Sequence, residues 1–167
     1  MTDQLSGWLW LFPATYAVHI AEEGLAGQRF YRWIQRIPLA RALGVQISGS
    51  SFLVVNVIYL AAMLAAIVVA SSPDWGWLIP ALGVLIAVNG LGHLVGSLAT
   101  GSYSPGLISG LILWSPLGAF ALVASHGTLP QFTFWAGAGA GLLIQAAVAA
   151  SVLLISLVEH RLRVRPR

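Results

Sequence analysis

The stretch that decides the fold is "ISGSSFLVVNVIYLAAMLAAIVVA", residues 47–70, which contains no charged side chain. A helix needs about 20 mostly apolar residues to cross the hydrocarbon core of a bilayer. This stretch meets that requirement without interruption. We therefore interpret it as a membrane-spanning helix and search the rest of the chain for segments of the same kind.

Four further segments have the same character, at residues 5–24, 76–98, 105–125 and 133–158. The whole chain is 58% apolar and only 8% charged, with a mean hydropathy of +0.86. A soluble domain carries about 25% charged residues, so this chain has too few polar groups to cover a globular surface. The sequence predicts one all-α domain over residues 1–167, a bundle of five membrane spans.

The basic residues predict the orientation of this bundle. All eight are arginines, and they form two clusters: Arg29, Arg32, Arg36 and Arg41, then Arg161, Arg163, Arg165 and Arg167. By the positive-inside rule, both clusters lie in the cytoplasm, which puts the N-terminus outside and the C-terminus inside. Their expected partners are anionic headgroups, not nucleic acid. Aromatic residues between the arginines of residues 25–46 predict a short amphipathic helix at the membrane interface.

Polar side chains interrupt the first and third spans. His19, Glu22 and Glu23 in "HIAEE" are spaced i, i+3, i+4, which places them on one helix face. Asn89 and His93 are spaced i, i+4 in the third span. Both spans run from outside to inside, so we expect the two polar faces at the same depth, near the inner leaflet. Burying charged groups there is costly, which favours a shared interior pocket.

These residue types are typical of a metal site. Two imidazoles with one or two carboxylates bind zinc or non-haem iron, so His19, Glu22, Glu23 and His93 are candidate ligands. Asn89 is a candidate for orienting a ligand, and the glutamate that is not a ligand is a candidate proton carrier. Two alternatives remain: the glutamates reach the headgroups and pair with arginines, and His93 with Asn89 only links helices.

Three ordered elements resemble the HXXEE-domain family of small bacterial integral membrane proteins: "HIAEE" at 19–23, His93, and "YSPG" at 103–106. The resemblance covers roughly residues 10–125. It implies one constellation that includes Tyr103, Pro105 and Gly106, in a multi-pass protein of the bacterial cytoplasmic membrane, with no settled activity. Independently, Pro105 and Gly106 predict a break before the fourth span. Tyr103 then lies at the cytoplasmic mouth, as a pocket residue or as an ordinary interfacial tyrosine.

The preferred function is a membrane-embedded, metal-dependent enzyme, hydrolase-like, acting on a lipophilic substrate, with Glu22, Glu23 and Tyr103 as candidate catalytic residues. The alternatives are a proton- or metal-ion-coupled transporter, a metal-free acid-catalysed isomerase or cyclase of isoprenoid-like substrates, and an accessory membrane subunit. Glycines in the spans predict tight helix packing, and Gly92 with Gly96 is a candidate homodimer seam.

Overall fold

The chain is helical throughout the part described by the computed structural model, which covers residues 7–25 and 29–164, the last two without their side chains. No strand occurs in those ranges. The helices are α1 Leu11–Leu25, α2 Phe30–Trp33, α3 Pro38–Ala42, α4 Gly49–Ala70, α5 Leu78–Thr100, α6 Leu107–His126 and α7 Gln131–Val164. The first residues of the predicted first span, and Arg165 and Arg167 of the second arginine cluster, lie outside the described residues.

Four helices are long and apolar enough to cross a membrane: Gly49–Ala70, Pro73–Thr100, Leu107–His126 and Gln131–Leu162. They correspond to the second to fifth predicted spans. Helix α1 is not among them, because it has 15 residues, two of which are glutamates. Such a helix rises about 22 Å, less than the thickness of the hydrocarbon core. The fifth span and the orientation of the bundle stay predictions.

The predicted interfacial helix is broken into pieces. Helix α2 continues as a 3-10 turn over Ile34–Arg36, and α3 starts separately at Pro38. The break falls at Ile37, whose backbone is extended (φ −66°, ψ 123°) because the residue before a proline is pushed out of the helical region. Residues 26–28 of this segment lie outside the described part of the chain. The short amphipathic helix predicted for this segment is therefore present as short helical pieces, and their place at the membrane interface stays a prediction.

Helix α5 lies in the centre of the bundle, against α6 and α7, and small residues permit the contacts. Gly90 meets Gly110 of α6, and Gly141 of α7 meets the backbone of Ala81. In a bilayer the hydrophobic effect does not drive helices together, so the van der Waals packing that these small residues permit stabilises their association.

The predicted homodimer seam is not continuous on α5. A Cβ on Gly96 would lie 2.6 Å from the Trp33 ring of the same chain, whereas Gly92 has no atom within 4 Å. The indole of Trp33 is buried and donates to Ser102 Oγ at 3.1 Å, which fastens α2 to the end of α5. The homodimer stays a prediction, for which Gly92 remains accessible and Gly96 does not.

Candidate metal centre

Helix α1 directs His19 and Glu23 into the bundle. The two residues are one turn apart, so their side chains lie on the same face. They are 2% and 7% exposed, and His19 Nε2 lies 3.7 Å from Glu23 Oε1. The carboxylate faces the imidazole instead of the headgroup region, which was the alternative prediction for it.

Helix α5 brings His93 to the same point. Its Nε2 lies 3.4 Å from Glu23 Oε1, and its ring meets the His19 ring edge-on with centroids 4.9 Å apart. One ligand atom from each of His19, Glu23 and His93 can be chosen so that all three lie within 4.8 Å of one another. The two polar faces that were expected at one depth thus form a single buried cluster.

Two serines hold the imidazoles from behind. His19 Nδ1 lies 2.8 Å from Ser109 Oγ, and His93 Nδ1 lies 3.0 Å from Ser104 Oγ. Ser109 Oγ also donates to the carbonyl of Gly106 at 3.4 Å, which leaves its oxygen to accept from His19 Nδ1–H. For His19 this network favours the proton on Nδ1, which leaves its Nε2 lone pair directed at the centre of the cluster.

Gly106 forms the floor beneath both rings. Its φ of +97° favours glycine, and a Cβ there would lie 2.7 Å from His93 Cε1, 2.8 Å from His19 Cε1 and 2.9 Å from His93 Nε2. Any side chain would therefore enter the space next to the Nε2 atoms. The buried Pro105 precedes it and keeps Ser104, the partner of His93, out of helical geometry.

A π-helical segment over Gly110–Trp114 puts an indole against His19. Trp114 stacks on the His19 ring with centroids 3.8 Å apart and planes 25° apart. Ser115 donates to the Gly110 carbonyl through its backbone N–H and also through Oγ at 2.9 Å. Pro116, which has no N–H, is the residue after Ser115 at the end of the π segment, and such segments often occur at functional sites.

Glu22 takes a different direction from Glu23 and caps helix α6. Its carboxylate accepts backbone N–H groups of Gly106 at 3.1 Å, Ile108 at 3.0 Å and Ser109 at 2.7 Å. It also accepts the hydroxyl of Tyr103. A carboxylate at a helix N-terminus satisfies unpaired donors and interacts favourably with the helix dipole. Glu22 was predicted as a metal ligand, but the structure uses its oxygens for this cap.

Tyr103 and Asn89 lie beside the cluster without joining it. Tyr103 is partly exposed between α5 and α6, and its contact is with Glu22. Burial, with the hydrogen bond and charge of Glu22, raises the pKa of Tyr103 to about 12, so the hydroxyl stays protonated. Asn89 Oδ1 is buried and has no hydrogen-bond partner, so the structure gives Asn89 no part in orienting His93.

A cavity of about 480 Å³ opens next to the cluster. His19, Glu23 and His93 lie in its wall, and the rest of the wall is mostly apolar, from α4, α5, α7 and the segment 30–45. The same wall contains the amides of Asn56, Asn89 and Gln145. The cavity therefore has a polar region at the cluster and an apolar body within the bundle.

The cluster fits a divalent metal ion. The Nε2–Oε1 separations of 3.4 and 3.7 Å exceed hydrogen-bond lengths. The shorter separation lies within, and the longer one just above, the roughly 3.3–3.6 Å between ligand atoms bound at 2.0–2.2 Å to a tetrahedral zinc, and the two histidine ligand atoms lie within 4.8 Å of each other. Without a cation or proton, two lone pairs and a carboxylate oxygen would repel one another in a buried space. Serines behind both imidazoles and the bare Cα of Gly106 complete an arrangement suited to a metal.

Comparison with known families adds one match. Residues 10–121 match the family described as "Protein of unknown function with HXXEE motif", about two-thirds of the chain. The chain belongs to the HXXEE family. No curated protein and no solved structure matches it.

Several neighbours of the HXXEE motif escaped prediction from the sequence. Ser109, one turn into α6, carries no sequence signal, because an isolated serine in a span is common. Ser104 is visible as the variable position of "YSPG", but nothing in the sequence points to an imidazole partner. The stacking of Trp114 on His19 could not be predicted, because it depends on the π segment, which hydrophobic periodicity does not reveal.

Proposed function

We propose that this HXXEE protein is a membrane-embedded, metal-dependent enzyme that acts on a lipophilic substrate. The observation that supports the proposal is the convergence of His19 Nε2, His93 Nε2 and Glu23 Oε1 in the wall of an otherwise largely apolar cavity. Two imidazoles and one carboxylate leave a coordination position open, as catalytic zinc sites do. Hydrolysis, with water as co-reactant, is the reaction class that we assign to it.

Each residue near the cluster has a role in this proposal. His19, His93 and Glu23 hold the metal, and a bound divalent cation would act as a Lewis acid on the polar group of the substrate. Ser109 and Ser104 are positioning residues, because a hydrogen bond to Nδ1 fixes the direction of Nε2. Glu22 and Tyr103, predicted as catalytic, become positioning residues that fix the turn carrying Gly106.

The cavity is the reason for proposing a lipophilic substrate. Its body is lined by side chains such as Leu82, Ile86 and Met63, which would remain in contact with an aliphatic or isoprenoid-like chain. Burial of apolar surface contributes roughly 25 cal/mol per Å² where the alternative is water. A substrate that partitions into the membrane would reach the cavity from the bilayer.

A transporter is the less favoured interpretation of the same residues. A proton or ion path requires polar groups from one membrane face to the other. Beyond the cluster, the described lining of the cavity has only Tyr16 and Tyr59 as titratable groups. A pocket that is polar in one region suits an enzyme better than a relay.

Metal analysis of the purified chain tests the proposal. The protein in detergent is equilibrated with Zn²⁺ or Fe²⁺, freed of excess metal and analysed by mass spectrometry for bound metal. We expect stoichiometric metal in the wild type and its loss in His93→Ala and Glu23→Gln. His126→Ala is the matched control, because His126 lies at the far end of α6 against Phe134 and should leave the metal content unchanged.

Bound metal that persists in both cluster variants would locate it elsewhere and overturn the proposal. Absence of metal from the wild type would leave the metal-free isomerase or cyclase as the better candidate. Proton-coupled uptake in liposomes that is abolished by Glu23→Gln would instead support transport. For the reaction itself, the metal-loaded wild type and the Glu23→Gln variant after the same metal treatment are each incubated with a bacterial membrane lipid extract. We expect a product ion in mass spectra with the wild type only.

We also propose that the N-terminus lies outside and both arginine clusters lie in the cytoplasm, with α1 as a fifth, short span. The chain has no cysteine, so single cysteines can be introduced cleanly. Ser72→Cys, between α4 and α5, should react with an impermeant maleimide added to intact cells. Ala42→Cys, in the arginine-rich segment, should react only after permeabilisation. The reverse pattern would refute this orientation.

A further inference from the structure

Three buried polar atoms in the cavity wall have no hydrogen-bond partner: Asn89 Oδ1, Gln145 Oε1 and Trp114 Nε1. These are the unpartnered buried side-chain atoms of the described residues, and all three belong to the same cavity. An unpaired polar group in an apolar environment costs roughly 1–3 kcal/mol. Three residues of the cavity wall, one each on α5, α6 and α7, therefore carry a buried polar atom that the fold leaves unpaired.

Helix packing shows that the backbones of these three residues lie at nearly the same level along the bundle. Gly137 and Gly141 of α7 meet Trp77 and Ala81 of α5, so the two helices run parallel and Gln145 is level with residue 85.

Helix α6 runs antiparallel to α5. Gly110 meets Gly90 and Gly118 meets Gly83, which puts Trp114 level with residues 86 and 87. Together with Asn89, the three residues fall within about one helical turn, or 6 Å of depth. We call Asn89, Trp114 and Gln145 the polar belt of the cavity.

The two amides of the polar belt, Asn89 and Gln145, lie at a defined separation from the metal cluster, whereas the Trp114 ring stacks on His19 itself. Asn89 is four residues before His93 on α5, and the level of Gln145 is eight residues before it. At 1.5 Å per residue, the separation along the helix is about 6–12 Å. The described lining contains no arginine or lysine, and its acidic side chain is Glu23. The belt offers carboxamide oxygens as acceptors and carboxamide NH2 groups and an indole N–H as donors, but no charge.

We infer that the cavity binds an uncharged lipophilic molecule with two polar groups, one at the metal cluster and a hydroxyl at the polar belt. A hydroxyl both donates and accepts, so it can pair with the carboxamide oxygens and NH2 groups of Asn89 and Gln145. This inference rests on the proposed function for the identity of the reacting end. The binding of the second hydroxyl depends on the belt alone.

The first test is the stability of the ligand-free protein. Asn89→Leu and Gln145→Met remove unpaired atoms with little change in volume, so the unfolding temperature in detergent should stay equal or rise. Asn56→Leu is the matched control in the same cavity. Its Oδ1 accepts from Tyr16 at 2.9 Å and its Nδ2 donates to Phe52 O at 2.9 Å, so this change should lower the unfolding temperature.

The second test compares the affinities of ligands that differ only in the position of a second hydroxyl group. The probes are dodecanol, its derivative with a second hydroxyl on the seventh carbon, and the isomer with that hydroxyl on the neighbouring second carbon. Ligand-dependent shifts of the unfolding temperature give apparent affinities. The wild type should bind the seventh-carbon diol about threefold to tenfold more tightly than its isomer. In Asn89→Leu and Gln145→Met the ratio should fall to near one.

The two proposals fail differently. A diol preference without bound metal would support the belt and refute the metal enzyme. Stoichiometric metal with equal affinities for the two diols would refute the belt and leave the enzyme standing. The belt is also overturned if both belt variants destabilise the protein as much as Asn56→Leu does, because their amides would then have partners within the fold. If one belt variant fails to fold, the other still decides the outcome.

Discussion

The substitution Gly106→Ala should lower the stability of the protein and displace the imidazole rings of His19 and His93. The φ of +97° at this position costs a non-glycine residue about 1–3 kcal/mol. The added Cβ would lie 2.7 Å from His93 Cε1 and 2.8 Å from His19 Cε1, so the rings must move. Overpacking of this kind costs about 1–3 kcal/mol. The free energy of unfolding should therefore fall by about 2–6 kcal/mol in total.

Metal binding should fall with it, because the contact is with the ligands themselves. Changes to residues that support metal ligands lower affinity by about 10- to 100-fold, and moving two ligands at once should reach the upper end. Competition with a zinc-binding dye, on folded protein in detergent, measures this affinity. Thermal unfolding of the same samples measures the stability.

Gly101→Ala separates the backbone effect from the contact. Gly101 also has a positive φ, of +58°, but a Cβ added there would have no atom within 4 Å. We expect a loss of about 1–2 kcal/mol with unchanged zinc affinity. If Gly106→Ala and Gly101→Ala bind zinc equally well, the two rings are not held against Gly106, and the reasoning about the cluster fails.

The hydrogen bonds around the cluster lead to three further predictions. Ser109→Ala should lower zinc affinity about 10-fold or more in the dye competition, since His19 loses its partner; an unchanged affinity would deny Ser109 its role. Glu22→Ala should lower the free energy of unfolding by about 1–3 kcal/mol in thermal melts, and the folded fraction should still bind zinc but with lower affinity, because the turn that carries Gly106 loses its cap. Loss of zinc from folded Glu22→Ala would return Glu22 to the ligand set. Tyr103→Phe should cost about 0.5–1.5 kcal/mol, equally at every pH between about 6 and 9. A pKa raised to about 12 means that the hydroxyl contributes fully below its unfolded pKa near 10 and loses its contribution only as pH rises towards 12. A pH-dependent difference within that window would contradict it.

Much of the fold could be predicted because span length and hydropathy determine it locally. The segment 47–70 became Gly49–Ala70, and the arginine-rich segment was recognised as something other than a span. The break at Ile37 was missed because it results from one residue, Pro38, within a pattern that otherwise looks amphipathic. The π segment was missed for a similar reason, since a single inserted residue hardly changes a hydrophobic pattern.

The cluster could be predicted only in part from helix spacing. The spacing of His19 and Glu23 predicts that they share one helix face. Because the first and third spans are predicted to run in the same direction, His93 was expected at the same depth in the membrane as these two residues. Spacing did not separate Glu22 from Glu23, because i+3 and i+4 both lie near the face of residue i. What separates them is the N-terminus of α6, which supplies three backbone donors to Glu22.

The two adjacent glutamates thus have different roles, and together they connect the histidine cluster to the turn that supports it. Glu23 shares the space of the imidazoles, whereas Glu22 reaches across to the turn at Tyr103 and Gly106. That turn brings Gly106 under both rings and Ser104 behind His93, so Glu22 sets the position of a histidine that it does not contact. If this linkage holds, Glu22→Ala and Gly106→Ala should be non-additive in zinc affinity, because both disturb the same turn. Independent effects would mean that the cap and the cluster are separate features of the fold.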